Sequence, residues 1–200
     1  MSRLYARRGY RSKVRPDDDD RNRLTLVATD REAVVGTLTV GFDAEHGLLA
    51  DDLFPDEVNA LRDAGREVCE FTKLAMDGLV HSQRALAAMF HVAFIHAHRL
   101  RGCDNLLIEV NPRHTRYYEA KLGFKVAGPE RLNRRVEAPA VLLMLDLWYA
   151  QDQIDRFGGK PEMSSGERSL YPFGFSPHEE AGILGRLRAE HAARGRPGLA

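Results

Sequence analysis

A mixed α/β sheet containing a parallel strand pair is the fold class that this sequence predicts, and three observations predict it. Two apolar strands, one within residues 67–77 and one within residues 105–114, each carry a carboxylate among apolar side chains, Glu70 in the first and Glu109 in the second. Between them, residues 82–101 read as one helix, because Leu86, Met89, Phe90, Ala93, Phe94 and Ala97 recur at i, i+3, i+4 and i+7. Strand, crossover helix and strand make a parallel pair. Ahead of them, residues 23–29 and 33–42 alternate apolar and polar about the turn Asp30-Arg31-Glu32, the pattern of an antiparallel hairpin.

The remaining elements follow in order. Residues 3–12 predict a short basic helix, and Pro16 with Asp17 to Asp20 a solvated connection. After the hairpin, residues 43–50 are a loop, and residues 55–64 a helix with Pro55 at its start and Gly65 at its end. Pro112 removes a backbone donor after the second carboxylate strand, so Arg113 and His114 are expected to project from a strand end. The next helix, 115–122, ends on Gly123 as a left-handed residue, with Phe124 folding back on the preceding turn. Residues 125–127 and 141–149 are the last two strands, and the loop between them carries Arg131, Arg134 and Arg135. From Gly158 the composition shifts to Gly, Ser, Pro and charge, until Ser176-Pro-His-Glu179 supplies an N-cap, a first-turn proline and a capping-box glutamate for a last helix to about Arg194. The domain division is therefore 1–157 with a C-terminal extension, 158–200, that holds one helix.

Composition limits the function classes. Two hundred residues with 44% hydrophobic content suit a chain with a real core, and no run approaches the ~18 apolar residues of a membrane span. Lys+Arg and Asp+Glu balance at 29 each, so no global field points to nucleic acid. The basic N-terminus, from Arg3 to Arg15, has few interleaved aromatics beyond Tyr5 and Tyr10, which also disfavours a nucleic-acid partner. The N-terminus lacks an apolar signal core, and Cys69 and Cys103 form no C-x-x-C motif, so the expected compartment is a reducing cytoplasm. His91, His96 and His98 make no i, i+4 pair, and a metal centre is not expected.

The runs Glu70-Phe-Thr-Lys-Leu-Ala, Leu86-Ala-Ala-Met-Phe-His, Ile108-Glu-Val-Asn-Pro-Arg-His, Tyr117-Tyr-Glu-Ala-Lys-Leu-Gly-Phe and Ala138-Pro-Ala-Val-Leu-Leu stand in this order along the chain. Together they resemble the N-acyl amino acid synthase family, a branch of the GNAT acyltransferases similar in fold to the acyl-homoserine lactone (autoinducer) synthases. The resemblance covers roughly residues 5 to 157, and its Asn-Pro-Arg-His element is the most specific part. It implies a GNAT-like mixed sheet, flanked by helices, in which a parallel strand pair splays to hold an acyl-phosphopantetheine thioester. That thioester is a donor substrate, and no bound cofactor is expected.

Joining a thioester to an amine needs removal of the ammonium proton, stabilisation of an oxyanion and accommodation of the leaving thiolate. Glu70, on an apolar strand face with Val68, Thr72 and Leu74, is the candidate base, because desolvation raises a carboxylate towards the ~8 of an α-amino group. The alternative for Glu70 is a buried ion pair with Lys73 or Arg113. Glu109 is either a competing base or a network member that orients Arg113. Arg113 is placed to take an amino acid carboxylate bidentately, and His114 is a proton carrier or a helix-start hydrogen bonder. The resemblance implies a phenol near the thiolate at Tyr118, with the register leaving Tyr117, otherwise a core residue, as the second choice. Asn111, Lys73, Thr37 and Thr39 are further substrate-binding candidates, and the 43–57 loop with the face of Thr37, Thr39 and Phe42 is expected to shape the pocket.

CoA-type GNAT enzymes carry a Gly-rich turn before the long helix, whereas this chain has only Gly78 well ahead of it. The helix start, with Ser82, Gln83 and Arg84, suits one phosphate. A single phosphodiester is what carrier-protein phosphopantetheine presents, so the expected partner is acyl carrier protein, with a small-molecule amine or amino acid as acceptor. Two other readings stand beside this one: an acyl-CoA-dependent GNAT N-acetyltransferase, and a non-catalytic GNAT-shaped module that binds a carrier protein or acyl ligand.

Overall fold

The computed structural model describes residues 22–30, 33–76 and 83–194. The expected basic helix, the acidic run, Gly78 and Ser82 lie outside these residues. Strands β1 (Arg23–Asp30) and β2 (Ala33–Phe42) form the expected antiparallel hairpin, and β3 (Val68–Met76) extends it. Next come β4 (Asn105–Val110), β5 (Lys125–Val126), β6 (Arg131–Asn133) and β7 (Ala138–Asp146). The sheet runs β1-β2-β3-β4-β7-β5, with β6 also on β7. Five α-helices accompany it among the described residues: α1 (Pro55–Asp63), α2 (Gln83–Phe94), α3 (Thr115–Leu122), α4 (Leu147–Phe157) and α5 (Pro177–Arg194).

One relationship in this sheet positions everything else. Strands β3 and β4 are parallel and pair over three rungs only, Val68 with Asn105, Cys69 with Leu106 and Glu70 with Leu107. Beyond Glu70 the two strands share no further rung, although β3 continues to Met76 and β4 to Val110. This is the splayed parallel pair of a GNAT-like fold. A bulge in β3 accompanies it: Thr37 opposes Ala75 while Thr39 opposes Thr72, leaving one extra residue on β3. Lys73 lies within that bulge at φ 54, a left-handed conformation that a non-glycine residue adopts at a cost of order 1 kcal/mol.

The two sheet faces bury different cores. Leu38, Val40, Phe42, Cys69, Phe71, Leu106, Ile108, Leu143 and Leu145 face α2 and α4 in the larger cluster. Val68, Leu107 and Leu142 face Leu48, Phe54 and Val58, from α1 and the turn before it, in the smaller one. Strand alternation thus separates Phe42 from Thr37 and Thr39, and the expected common face of these three does not form.

Several boundaries differ from the sequence reading. The apolar run at 141–149 divides at Asp146, whose Oδ1 accepts the backbone N–H groups of Trp148 (2.8 Å) and Tyr149 (3.1 Å). This N-cap ends β7 and starts α4, so the two aromatics are helical rather than extended. The helix expected over 82–101 is α-helical to Phe94 and π-helical over Ile95–Leu100. The loop carrying the arginines contains β6, and the 43–50 loop runs into a 3-10 turn at Leu49–Asp52. Gly123 caps α3 at φ 80 and Ser176 caps α5 through Glu179, both as expected. Tyr117 is 42% exposed and is not a core residue.

Candidate active site

The register places Arg23, Gly41, Glu70 and Leu107 side by side across four strands. Glu70 therefore occupies the last paired rung before the splay, and its carboxylate lies over the strand position that lacks a side chain. A Cβ on Gly41 would meet Glu70 Cγ and Oε1 at 3.0 Å, so glycine is what leaves room for the carboxylate. Arg23 reaches across the same gap to 3.8 Å from Oε1. The two carboxylate oxygens accept the backbone N–H groups of Leu49 and Ala50, each at 3.0 Å. Burial pushes the Glu70 carboxyl above the ordinary 4.5, opposed by those two N–H groups and Arg23, and raised further by Glu109.

Glu109 projects from the same face two residues beyond Leu107, on the open side of the splay. Its Oε2 accepts from Asn133 Nδ2 (2.6 Å) and its Oε1 from Arg135 Nη2 (2.9 Å). Arg135 also donates to the Leu49 carbonyl (3.1 Å) and pairs with Asp52 (3.1 Å). Burial raises Glu109 above its ordinary value, against the Arg135 charge and the Asn133 amide. The Leu49–Asp52 turn is thereby held from two sides, its N–H groups by Glu70 and its carbonyl by Arg135. Arg62 fixes its far end, with Nη1 2.7 Å from Asp51 Oδ1 and Nε 2.7 Å from Asp43 Oδ2, and holds the Asp51 carboxyl below its usual range.

The other candidates divide into groups. Thr37 and Thr39 are buried on the Glu70 face; Thr39 Oγ1 lies 3.0 Å from Thr25 Oγ1, and Thr37 Oγ1 donates to the Lys73 carbonyl at 3.3 Å. The Lys73 carbonyl thus ties the bulge to β2, while the cation beside Glu70 among the described residues is Arg23, not Lys73 or Arg113. Asn111, Arg113 and His114 lie at the C-terminal end of β4, where Asn111 Oδ1 accepts from the Arg113 backbone N–H (3.2 Å) and Arg113 Nε donates to His114 Nε2 (3.1 Å). Both Arg113 and His114 are exposed, as the Pro112 argument predicts. Glu109 takes Arg135 rather than Arg113 as its cation. Tyr118, in α3 just after this turn, is half-buried with its ring against Phe124 at 5.8 Å. Gln83 and Arg84 are exposed on the first turn of α2.

Sequence reasoning missed Arg23, Gly41, Asn133, Arg135 and the N–H pair of Leu49 and Ala50. A glycine in a strand whose neighbour carries a lone buried carboxylate is a legible signal for Gly41. The partners of Glu109 depend on β6, which no periodicity marks.

On the opposite face of the sheet lies a narrow apolar cavity, partly open, whose empty space of about 470 Å³ includes the solvent at its mouth. Phe71, the first β3 residue past the last rung, and Leu106 line it, with Ala87, Phe90, His91 and Phe94 of α2, Leu122 and Leu145. The splay therefore has buried carboxylates on one face and a hydrocarbon-lined hole on the other. Among the described residues no cluster suits a metal ion, and no helix is long and apolar enough to cross a membrane.

The sequence matches the model of the N-acyl amino acid synthase FeeM family over residues 1–146. No curated protein matches it. Among solved structures it is similar to FeeM, an N-acyl amino acid synthase from uncultured soil microbes, at 26% identity and TM-score 0.66 over 76% of this chain and 88% of that one. BjaI, a CoA-dependent acyl-homoserine lactone synthase, aligns at 16% identity and TM-score 0.51 over 74% of this chain and 75% of its own. An N-acetyltransferase from Staphylococcus aureus Mu50 aligns at 12% and 0.50 over 73% and 88%. The last two share the fold alone.

Proposed function

This chain belongs to the N-acyl amino acid synthase FeeM family and is an acyltransferase, and on that premise we propose that it joins a medium or long acyl chain from acyl carrier protein to the amine of an amino acid. The observation that carries the reading is the end of the β3–β4 ladder at Glu70 and Leu107, with carboxylates on one face and the apolar cavity on the other. A thioester lying in the splay has its acyl tail on the side of Phe71 and Leu106, and its carbonyl carbon open to an amine from the side of Glu70 and Glu109.

In this reading Glu70 takes a proton from the substrate ammonium, its raised pKa bringing it nearer to that of the amine. The freed amine attacks the thioester carbonyl carbon, the C–N bond forms and the C–S bond breaks. The second nitrogen proton ends on the leaving thiolate, relayed by the Tyr118 hydroxyl, while Glu70 returns its proton to water. Arg113 binds the acceptor carboxylate, with Asn111 and His114 beside it, and His114 carries protons outward. Lys73, Thr37, Thr39 and Glu109 line the acceptor side, and Ser82, Gln83 and Arg84 hold the phosphodiester of the donor at the start of α2. Mass spectrometry of lipid extracts from cells overexpressing the protein tests the proposal. N-acyl amino acids absent from control cells are expected, and extracts without any such product contradict it.

A further inference from the structure

Six of the fourteen residues that line the apolar cavity lie beyond the family match, which ends at residue 146. Leu147, Ala150 and Ile154 of α4 line it, as do Leu170, Tyr171 and Gly174 from the segment before α5. The segment is bonded to the rest of the fold at each end of this wall. The Leu170 N–H donates to the Lys121 carbonyl at 2.9 Å, the Tyr171 hydroxyl to the Leu122 carbonyl at 2.7 Å, and the Phe175 N–H to His91 Nδ1 at 3.0 Å. A Cβ on Gly174 would stand 3.0 Å from His91 Nδ1, so the glycine lets the segment lie directly on α2.

The same bonds decide the chemistry of the cavity. Because His91 Nδ1 accepts from Phe175, the ring carries its proton on Nε2, which donates to Glu180 Oε2 at 3.3 Å. Both ring nitrogens are thus occupied, and the Tyr171 hydroxyl is committed to Leu122. What these two side chains offer the cavity is carbon.

We infer that residues 147–174 are the chain-length gauge of the acyl site, and that the site takes an acyl tail with no polar group at its far end. The inference rests on the cavity being the acyl side of the splay, as in the function proposed above. Each methylene buried in such a hole is worth about fourfold in affinity, and a wall that stops the chain reverses that gain, so wall volume reads out as preferred length.

The test is calorimetric binding of S-alkyl pantetheine thioethers, which have no acyl group to transfer, across a series of chain lengths, with the product profile measured in parallel. Ala150→Leu adds volume to the wall and is expected to shorten the tightest-binding chain by about two carbons; Leu170→Ala removes volume and lengthens it. Ile154→Val, a milder enlargement, is run beside Leu170→Ala so that loss of fold in one does not void the result. A hydroxyl at the far end of the best chain is expected to weaken binding at least about tenfold. An unchanged length optimum in folded variants overturns the inference, as does wild-type binding indifferent to length. Length-dependent binding that follows the wall volume supports it even if no amine is acylated, an outcome that would overturn the transferase reading alone.

Discussion

A methyl group on Gly41 would lie 3.0 Å from Glu70 Oε1, so the carboxylate of β3 occupies the space that the glycine of β2 leaves empty. Arg23 reaches the same carboxylate from the far side of Gly41, and the Leu49 and Ala50 N–H groups close on it from the turn. Gly41→Ala suits strand backbone, so it is expected to leave thermal stability within about 1 kcal/mol while displacing Glu70 by a few tenths of an ångström and lowering kcat about tenfold. Paired measurements of melting temperature and kcat check this; unchanged turnover would detach Glu70 from the rate.

Glu70→Gln is not a fold-neutral change. Both carboxylate oxygens accept backbone N–H groups, and glutamine has one acceptor oxygen, so one N–H faces an NH2 group at a cost of about 1–3 kcal/mol. The expected melting point is lower by several degrees, and kcat by about 10² to 10⁴. The pH profile separates the two effects. Burial raises both Glu70 and Glu109 above 4.5, so the stability linked to them is fully present below 4.5 and is lost as pH rises through their folded values. Activity runs the other way, because a base works deprotonated. The wild-type kcat is expected to climb with pH on a limb above 4.5, and that limb should vanish in Glu70→Gln.

Arg113 is exposed, with its Nε on His114 Nε2, which leaves the Nη groups as the fork for a carboxylate. Arg113→Lys keeps the charge and loses the fork, and a roughly tenfold rise in the KM of the amine substrate is expected, with a smaller change for the acyl donor. An effect confined to the donor would move Arg113 to the carrier-protein side.

Tyr171→Phe removes a buried 2.7 Å hydrogen bond and strands the Leu122 carbonyl. The expected loss is about 1–3 kcal/mol, or roughly 2–12 °C in a chain of this size. A melting temperature within a degree of wild type would show that this hydrogen bond adds nothing to the other contacts that hold the 170–174 segment.

The sequence made the scaffold legible wherever local chemistry marked it. Hydrophobic spacing gave α2, Gly123 gave the end of α3, and Pro112 gave the exposure of Arg113 and His114. It failed where a single side chain overrides a pattern: Asp146 caps α4 in the middle of a run that reads as strand. The two carboxylates were visible as anomalies, but their partners were not. Leu49 and Ala50 offer backbone groups, which leave no mark on residue type, and Arg135 meets Glu109 only because β6 folds onto β7. The cavity was illegible for the same reason, since residues 147–174 close it from far along the chain.

In the proposed reaction an acyl chain passes from carrier-protein phosphopantetheine to an amino acid amine. Matched acyl-carrier-protein and acyl-CoA donors, assayed with a panel of amino acids across a salt series, test it most directly. Basic residues such as Arg84 and Arg134 are exposed, and attraction to an acidic carrier protein is screened over a Debye length of about 8 Å at physiological ionic strength. Expected are an N-acyl amino acid product, a strong preference for the carrier-bound donor, and a preference that weakens as salt rises. Equal or better use of acetyl-CoA would contradict it in favour of an ordinary GNAT acetyltransferase, and tight carrier binding without turnover on any amine would contradict it in favour of a binding module.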